Sequence, residues 1–217
     1  MSKAEQFLKN EKDKYGKIYV DINYAIHNVS PFLEDSVLSR RQYYSKLPYL
    51  KKYIDLIESA EMEIKNSSFF ERLSENKYID LLEDYKNDNA DYFRQLEKCS
   101  LCSCLNCVAE CKFDSCLACR ENSKIAQCDH NKINITKHDS FMLNLTNNNS
   151  GMNDSYVVLA TLQDVLKNMK YIIIENINSK EKFILHYFPG ISEDTYGELS
   201  DSAEFDYIVS QFQSLDE

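Results

Sequence analysis

Apolar positions in the first hundred residues recur every three or four places. Ile18, Ile22, Ala25 and Ile26 set the spacing, and Leu50, Tyr53, Ile54, Ile57, Ala60 and Ile64 repeat it as one stripe. Phe70, Leu73, Tyr78, Leu81, Leu82, Tyr85, Tyr92 and Leu96 carry it further, with a break at Asn87-Asp88-Asn89. This is the period of amphipathic helices. The polar positions supply punctuation. Ser2-Lys3-Ala4-Glu5 and Ser68-Phe69-Phe70-Glu71 have the form of capping boxes. Gly16 reads as a helix stop, Ser30-Pro31 and Pro48 as restarts, and Asn66-Ser67-Ser68 as a break. Two long helices joined by a short polar turn predict an antiparallel αα-hairpin whose stripes pack on each other and on the first helices.

From residue 140 the period shortens to two. Phe141, Leu143 and Leu145 alternate with Met142, Asn144 and Thr146, the pattern of a half-buried strand. Tyr156–Ala160, Tyr171–Ile174 and Lys182–Tyr187 are three further strand candidates, and Asn178-Ser179-Lys180 predicts a hairpin between the last two. Pro189-Gly190 ends that hairpin. Asp201-Ser202-Ala203-Glu204 marks a new helix start, and Phe205, Ile208, Val209 and Phe212 line one of its faces. The expected fold class is α+β: an N-terminal helical bundle, then a small antiparallel sheet with a covering helix. The boundaries read as 1–98 helical, 99–139 cysteine-rich and 140–217 α+β.

The C-terminal third resembles a small family of acidic α+β domains from low-GC Gram-positive bacteria. The matching pieces are Tyr156-Val157-Val158-Leu159-Ala160-Thr161-Leu162, Tyr171-Ile172-Ile173-Ile174-Glu175 and Glu204-Phe205-Asp206. The resemblance covers about 75 of the 217 residues and implies strand, strand, hairpin and acidic helix in that order. That family has no established activity, so the resemblance transfers no catalytic residue.

Charge sharpens the division. Residues 1–98 hold 16 basic and 18 acidic side chains, residues 99–139 five of each, and residues 140–217 four basic against 12 acidic. Most of the net −10 therefore sits in the last third. Such a surface repels a phosphate backbone, which must be met by Lys and Arg, so a nucleic-acid partner is not expected. Glu193, Asp194, Glu198, Asp201 and Glu204 form the densest acidic group and the candidate surface for a basic protein partner. Met1-Ser2-Lys3-Ala4-Glu5-Gln6 lacks the apolar stretch of a signal peptide, and no apolar run approaches the roughly 18–20 residues of a membrane span. A cytoplasmic protein is expected.

The most specific feature lies between the two halves. All eight cysteines fall within residues 99–128, as the pairs Cys99-x2-Cys102, Cys104-x2-Cys107 and Cys116-x2-Cys119 with Cys111 and Cys128 beside them. A C-x2-C turn sets two thiolates at two corners of a tetrahedron, and two such turns complete a zinc site. Eight ligands make two zinc ions. One partition joins Cys99, Cys102, Cys116 and Cys119 in one site and Cys104, Cys107, Cys111 and Cys128 in the other; spacing leaves other partitions open. His130 or His138 could replace Cys111 or Cys128. Four disulfides use the same residues but do not suit a reducing compartment. An iron–sulfur cluster is the other thiolate chemistry, although the C-x2-C-x2-C run of bacterial ferredoxins is absent.

No phosphate-binding G-x4-G-K-[ST] loop, G-x-S-x-G elbow, H-E-x-x-H pair, zinc-deaminase signature or EF-hand loop is present. The sequence reads as a non-enzymatic zinc-binding protein of a bacterial or phage regulatory setting. In that reading a structural metal staples the connector and the acidic module engages another protein. The alternatives are a redox or metal sensor built on the thiolate cluster and a nucleic-acid-associated zinc protein.

Overall fold

In the computed structural model, which describes residues 2–31, 34–39, 41–66, 76–107, 111–113, 119–146, 151, 153–190 and 193–215, the helical period becomes five helices. They are α1 (Lys3–Val29), α2 (Asp35–Leu38), α3 (Gln42–Asn66), α4 (Asn76–Asp88) and α5 (Ala90–Ser100). The Ser2 capping box is complete: Ser2 Oγ accepts from Glu5 N at 3.2 Å and Ser2 N donates to Glu5 Oε2 at 2.7 Å. The second box, at Ser68–Glu71, lies outside the described residues, as do Phe70 and Leu73.

Two breaks read from sequence are not breaks. Helix α1 runs through Gly16, which ends nothing because Tyr15 and Ile18 beside it are buried in the same core. Their burial outweighs the roughly 1 kcal/mol that glycine costs inside a helix. Pro48 lies within α3 rather than at its start, at an exposed position where the carbonyl it leaves without an amide can meet water.

The helical core is the predicted stripe. Leu50, Tyr53, Ile57, Ala60 and Ile64 are buried on α3 against Ile18, Ile22 and Ala25 of α1 and Leu82, Phe93 and Leu96 of α4 and α5. Leu81, read as part of that stripe, is 45% exposed. Aromatic rings fill the centre, with Tyr15 edge-on to Tyr53 at 5.5 Å and to Phe93 at 5.2 Å. Their hydroxyls need partners in this setting. Glu11 accepts from Tyr53 at 2.5 Å and from Lys86 Nζ at 2.8 Å, and Glu97 accepts from Tyr15 and Lys14, each at 2.7 Å. Burial first, and then the carboxylate at its hydroxyl, pushes each phenol well above its ordinary range.

The rest of the chain builds one antiparallel sheet. Its strands are β1 (Ser123–Cys128), β2 (Ile133–His138), β3 (Met142–Thr146), β4 (Asn153–Asp164), β5 (Met169–Asn176), β6 (Lys182–Phe188) and β7 (Thr195–Glu198), in the order β1-β2-β4-β5-β6-β7. The 12-residue β4 is the hub. Its N-terminal half pairs with β3 and its C-terminal half with β2, while β5 pairs along its other side, with a bulge at Leu159. Residues 123–138, which the sequence reading leaves in the cysteine-rich segment, are thus two strands of the sheet. In the hairpin at Asn178-Ser179-Lys180, Asn176 Oδ1 accepts from the amides of residues 178 and 179, and Lys180 adopts φ 62°.

Helix α6 (Ser202–Gln213) covers one face. Asp201 caps it, accepting from Ala203 N at 2.8 Å and Glu204 N at 3.3 Å. Ile208 is fully buried against Ile133, Ile135, Ala160, Leu162, Tyr171 and Ile173. Phe205, read as part of this face, is 43% exposed, while Tyr207 packs toward the sheet with Lys132 Nζ 4.4 Å above its ring. Val158, Ile172 and Ile174 are buried on the opposite face among Phe141, Leu143, Leu145, Tyr156, Leu185, Tyr187 and Tyr196. The chain is α+β. It forms two compact units: Met1–Leu101 with Leu105–Val108, and Cys102–Cys104 with Ala109–Glu217. Among the described residues no helix is long and apolar enough to cross a membrane.

Candidate metal centre

The structure distributes the cysteines unevenly. Cys99 continues the buried stripe Phe93, Leu96 of α5 at helical spacing and is 3% exposed in the helical core. Gln95 Nε2, one turn earlier, donates to its sulfur at 3.4 Å. Cys107 is also buried and belongs to the helical unit, after a 3₁₀ turn over Ser103–Asn106.

The sheet unit holds a different group. Cys104 and Ile125 are buried together, and Cys102, Cys111 and Cys128 pack against them. Two hydrogen bonds tie this group to the sheet. Ile125 N donates to Cys102 Sγ at 3.3 Å, and Ser103 Oγ donates to the carbonyl of Ala126 at 2.9 Å. Strand β1 lies at one end of the strand order, and it bulges between Ile125 and Gln127. Residues 102 and 103 therefore take up one amide and one carbonyl of an edge strand, groups that would otherwise need water or another chain. Cys111 Sγ donates to Phe113 O at 3.4 Å, and Phe113 is 1% exposed, which anchors this short stretch. Cys128 ends β1, where the hairpin to β2 is held by Asp129. One Asp129 oxygen accepts from the amides of residues 131, 132 and 133 at 2.7–2.9 Å. Desolvation raises that carboxyl, but the backbone donors outweigh it and hold it below its ordinary range.

His130, at φ 60° in this hairpin, places Nδ1 3.9 Å from Cys128 Sγ. His138 is turned elsewhere. Its Nε2 lies 3.0 Å from Thr161 Oγ1 and its ring stands edge-on to Phe141 at 5.4 Å, while Arg120 lies 3.9 Å over that same Phe141 ring. Burial, reinforced by the Arg120 charge, pushes the His138 imidazole down to about 4, so it is neutral at neutral pH. Cys119 is partly buried, and Cys116 lies outside the described residues.

Soft thiols beside apolar side chains and a backbone amide suit a thiolate metal in chemistry. No disulfide joins two of the described cysteines. In geometry, no three Cys, His, Asp or Glu side chains converge closely enough among the described residues to hold an ion.

The acidic group divides as well. Asp194 accepts from Tyr187 Oη at 2.9 Å and from Gly190 N at 3.2 Å, Asp201 caps α6, and Glu204 accepts from Tyr171 Oη at 2.5 Å. Glu204 also stands 3.6 Å from His186 Nε2 and 3.7 Å from Lys167 Nζ. Burial, then the Asp194 bond, pushes the Tyr187 phenol up to about 12. Glu193 and Glu198 are exposed. Three of the five predicted surface acids thus have bonds within the unit. Sequence reasoning did not find the Tyr171–Glu204 contact, because its residues are 33 apart and the acid looks like any other in a first helical turn.

No protein-family model, curated protein or solved structure matches this chain.

Proposed function

We propose that this chain is a cytoplasmic, non-enzymatic zinc protein. Its cysteine-rich segment holds structural zinc, up to two ions, and its sheet unit offers an acidic surface to a basic protein partner. The reading rests above all on one observation: Cys102, Cys111 and Cys128 pack against the buried pair of Cys104 and Ile125, and the Ile125 amide donates to the Cys102 sulfur. An amide donor favours the thiolate, the form that binds metal. The C-x2-C spacing of the pairs supports the same chemistry. A shell of four thiolates leaves no open coordination position, so the metal orders the chain rather than activating a substrate. Glu193 and Glu198, exposed at the two ends of the β7 segment, are the acids best placed to meet a partner.

The test is elemental analysis of protein purified without oxygen, with an absorption spectrum of the same sample. One or two zinc ions per chain and no visible band are expected. Iron with broad visible absorption would replace zinc by a cluster, and the absence of any metal would overturn the reading.

A further inference from the structure

Strand β7 lies at the end of the strand order opposite β1, and among the described residues it pairs with β6 alone. We propose that β7 accepts an extended basic segment of the partner protein as an added strand of the sheet. The proposal rests on the acidic-surface reading above and adds the mode of binding and the residue pattern that the partner presents.

Three observations carry it. First, in a strand paired on one side, alternate residues turn their amides and carbonyls outward, where water or another strand meets them. Adding a strand to such an edge is a general mode of peptide recognition. Second, the edge is already set. Asp194, just before β7, accepts from Tyr187 Oη at 2.9 Å and from Gly190 N at 3.2 Å, so one carboxylate ties the approach to β7 onto β6. Tyr196 stacks on Tyr187 at 5.8 Å. An edge held in this way loses little freedom on binding. Third, the register gives each face of β7 its own chemistry. Tyr196 and Glu198 pair with Tyr187 and Leu185 and share one face, whereas Thr195 and Gly197 pair with Phe188 and His186 and share the other. On the first face, a basic side chain of an added strand meets the exposed Glu198 carboxylate and the Tyr196 ring. Arg120, the cation whose charge bears on Tyr196, lies over the Phe141 ring. On the second face, Gly197 presents no side chain. Phe188 beside it is half exposed, with Cε2 3.4 Å from the point that a Cβ on residue 197 would occupy. An apolar side chain fits there. The segment that fits therefore alternates basic and apolar residues. Charge also selects against a second copy of this chain, because two β7 edges would bring the exposed Glu193 and Glu198 of each toward those of the other.

The experiment titrates the full-length protein with a fluorescent decapeptide of alternating lysine and valine. A second titration uses the same peptide N-methylated at every amide, which keeps the charge but donates no backbone hydrogen bond. Binding is read by anisotropy, and amide exchange over residues 195–198 by mass spectrometry at saturating peptide. The plain peptide is expected to bind roughly tenfold or more tightly than its methylated form. It should slow exchange in β7 while exchange in β3 is unchanged. Glu198→Lys should weaken binding roughly tenfold with the unfolding midpoint unchanged. Equal binding of the two peptides, or protection of another strand in place of β7, overturns strand addition and leaves the acidic surface standing. Failure of both peptides to bind overturns the acidic-surface reading itself. A dimeric mass without peptide, with residues 195–198 protected, gives the edge to a second copy and overturns the choice of partner.

Discussion

His138 gives the sheet unit a pH dependence whose sign and size follow from the structure. Its ring is largely buried between Thr161 and Phe141, and its Nδ1 meets no hydrogen-bond partner among the described residues. The charged groups bearing on it are Arg120, which opposes protonation, and Asp139, which favours it; burial exceeds both. The imidazole therefore holds its proton with a pKa of about 4 in the folded state, against 6.5 when unfolded. Above pH 6.5 the neutral ring is present in both states and its contribution to stability is complete. As the pH falls, the unfolded chain takes up the proton first, and stability is lost between 6.5 and 4. At about 1.4 kcal/mol for each tenfold change in proton affinity, the loss reaches about 3 kcal/mol. The assay is urea unfolding of the wild type and His138→Gln from pH 7.5 to 4.5, read by a sheet-sensitive probe. Carboxylates titrate in both proteins and cancel in the difference. The wild-type advantage should shrink steadily below pH 6.5. A difference that stays flat over this range would refute the argument that His138 is held neutral by burial.

Ile208→Ala removes the fully buried contact of α6 and should destabilise the sheet unit by about 2–4 kcal/mol, measured by denaturant unfolding. Amide exchange in α6 should rise with it, and unchanged exchange would mean that the helix is held by something else. In the helical unit, Tyr53→Phe should cost about 1–2 kcal/mol, since Glu11 loses one of its two donors among the described residues but keeps Lys86. A double-mutant cycle of Tyr53→Phe with Lys86→Met should then show coupling, and strict additivity would remove Glu11 as their shared acceptor.

The helices were legible because their stripes are long and their caps are local. The Ser2 box and the Asp201 cap involve residues two or three apart, so sequence holds all the information needed. Gly16 and Pro48 misled for the opposite reason: whether such a residue ends a helix depends on what its neighbours bury, which is a tertiary fact. Strands β1 and β2 were overlooked although Ile133 and Ile135 alternate with polar residues, because the cysteines around them draw the reading toward a connector without a sheet. The cysteines themselves were plain as a group. Their grouping was not, because Cys99 follows the helical stripe of Phe93 and Leu96, whereas Cys102 meets an amide 23 residues away. Spacing along the chain records neither relation.

The central claim is that thiolate-bound zinc orders the cysteine-rich segment and supports the sheet. Thermal unfolding of anaerobically purified protein, with and without a strong zinc chelator and with metal content read in the same samples, tests it most directly. The account predicts that chelation removes zinc and lowers the unfolding midpoint by on the order of 10 °C, with recovery when zinc is returned. A protein that carries no metal, or one that loses its metal and unfolds at the same temperature, would contradict it.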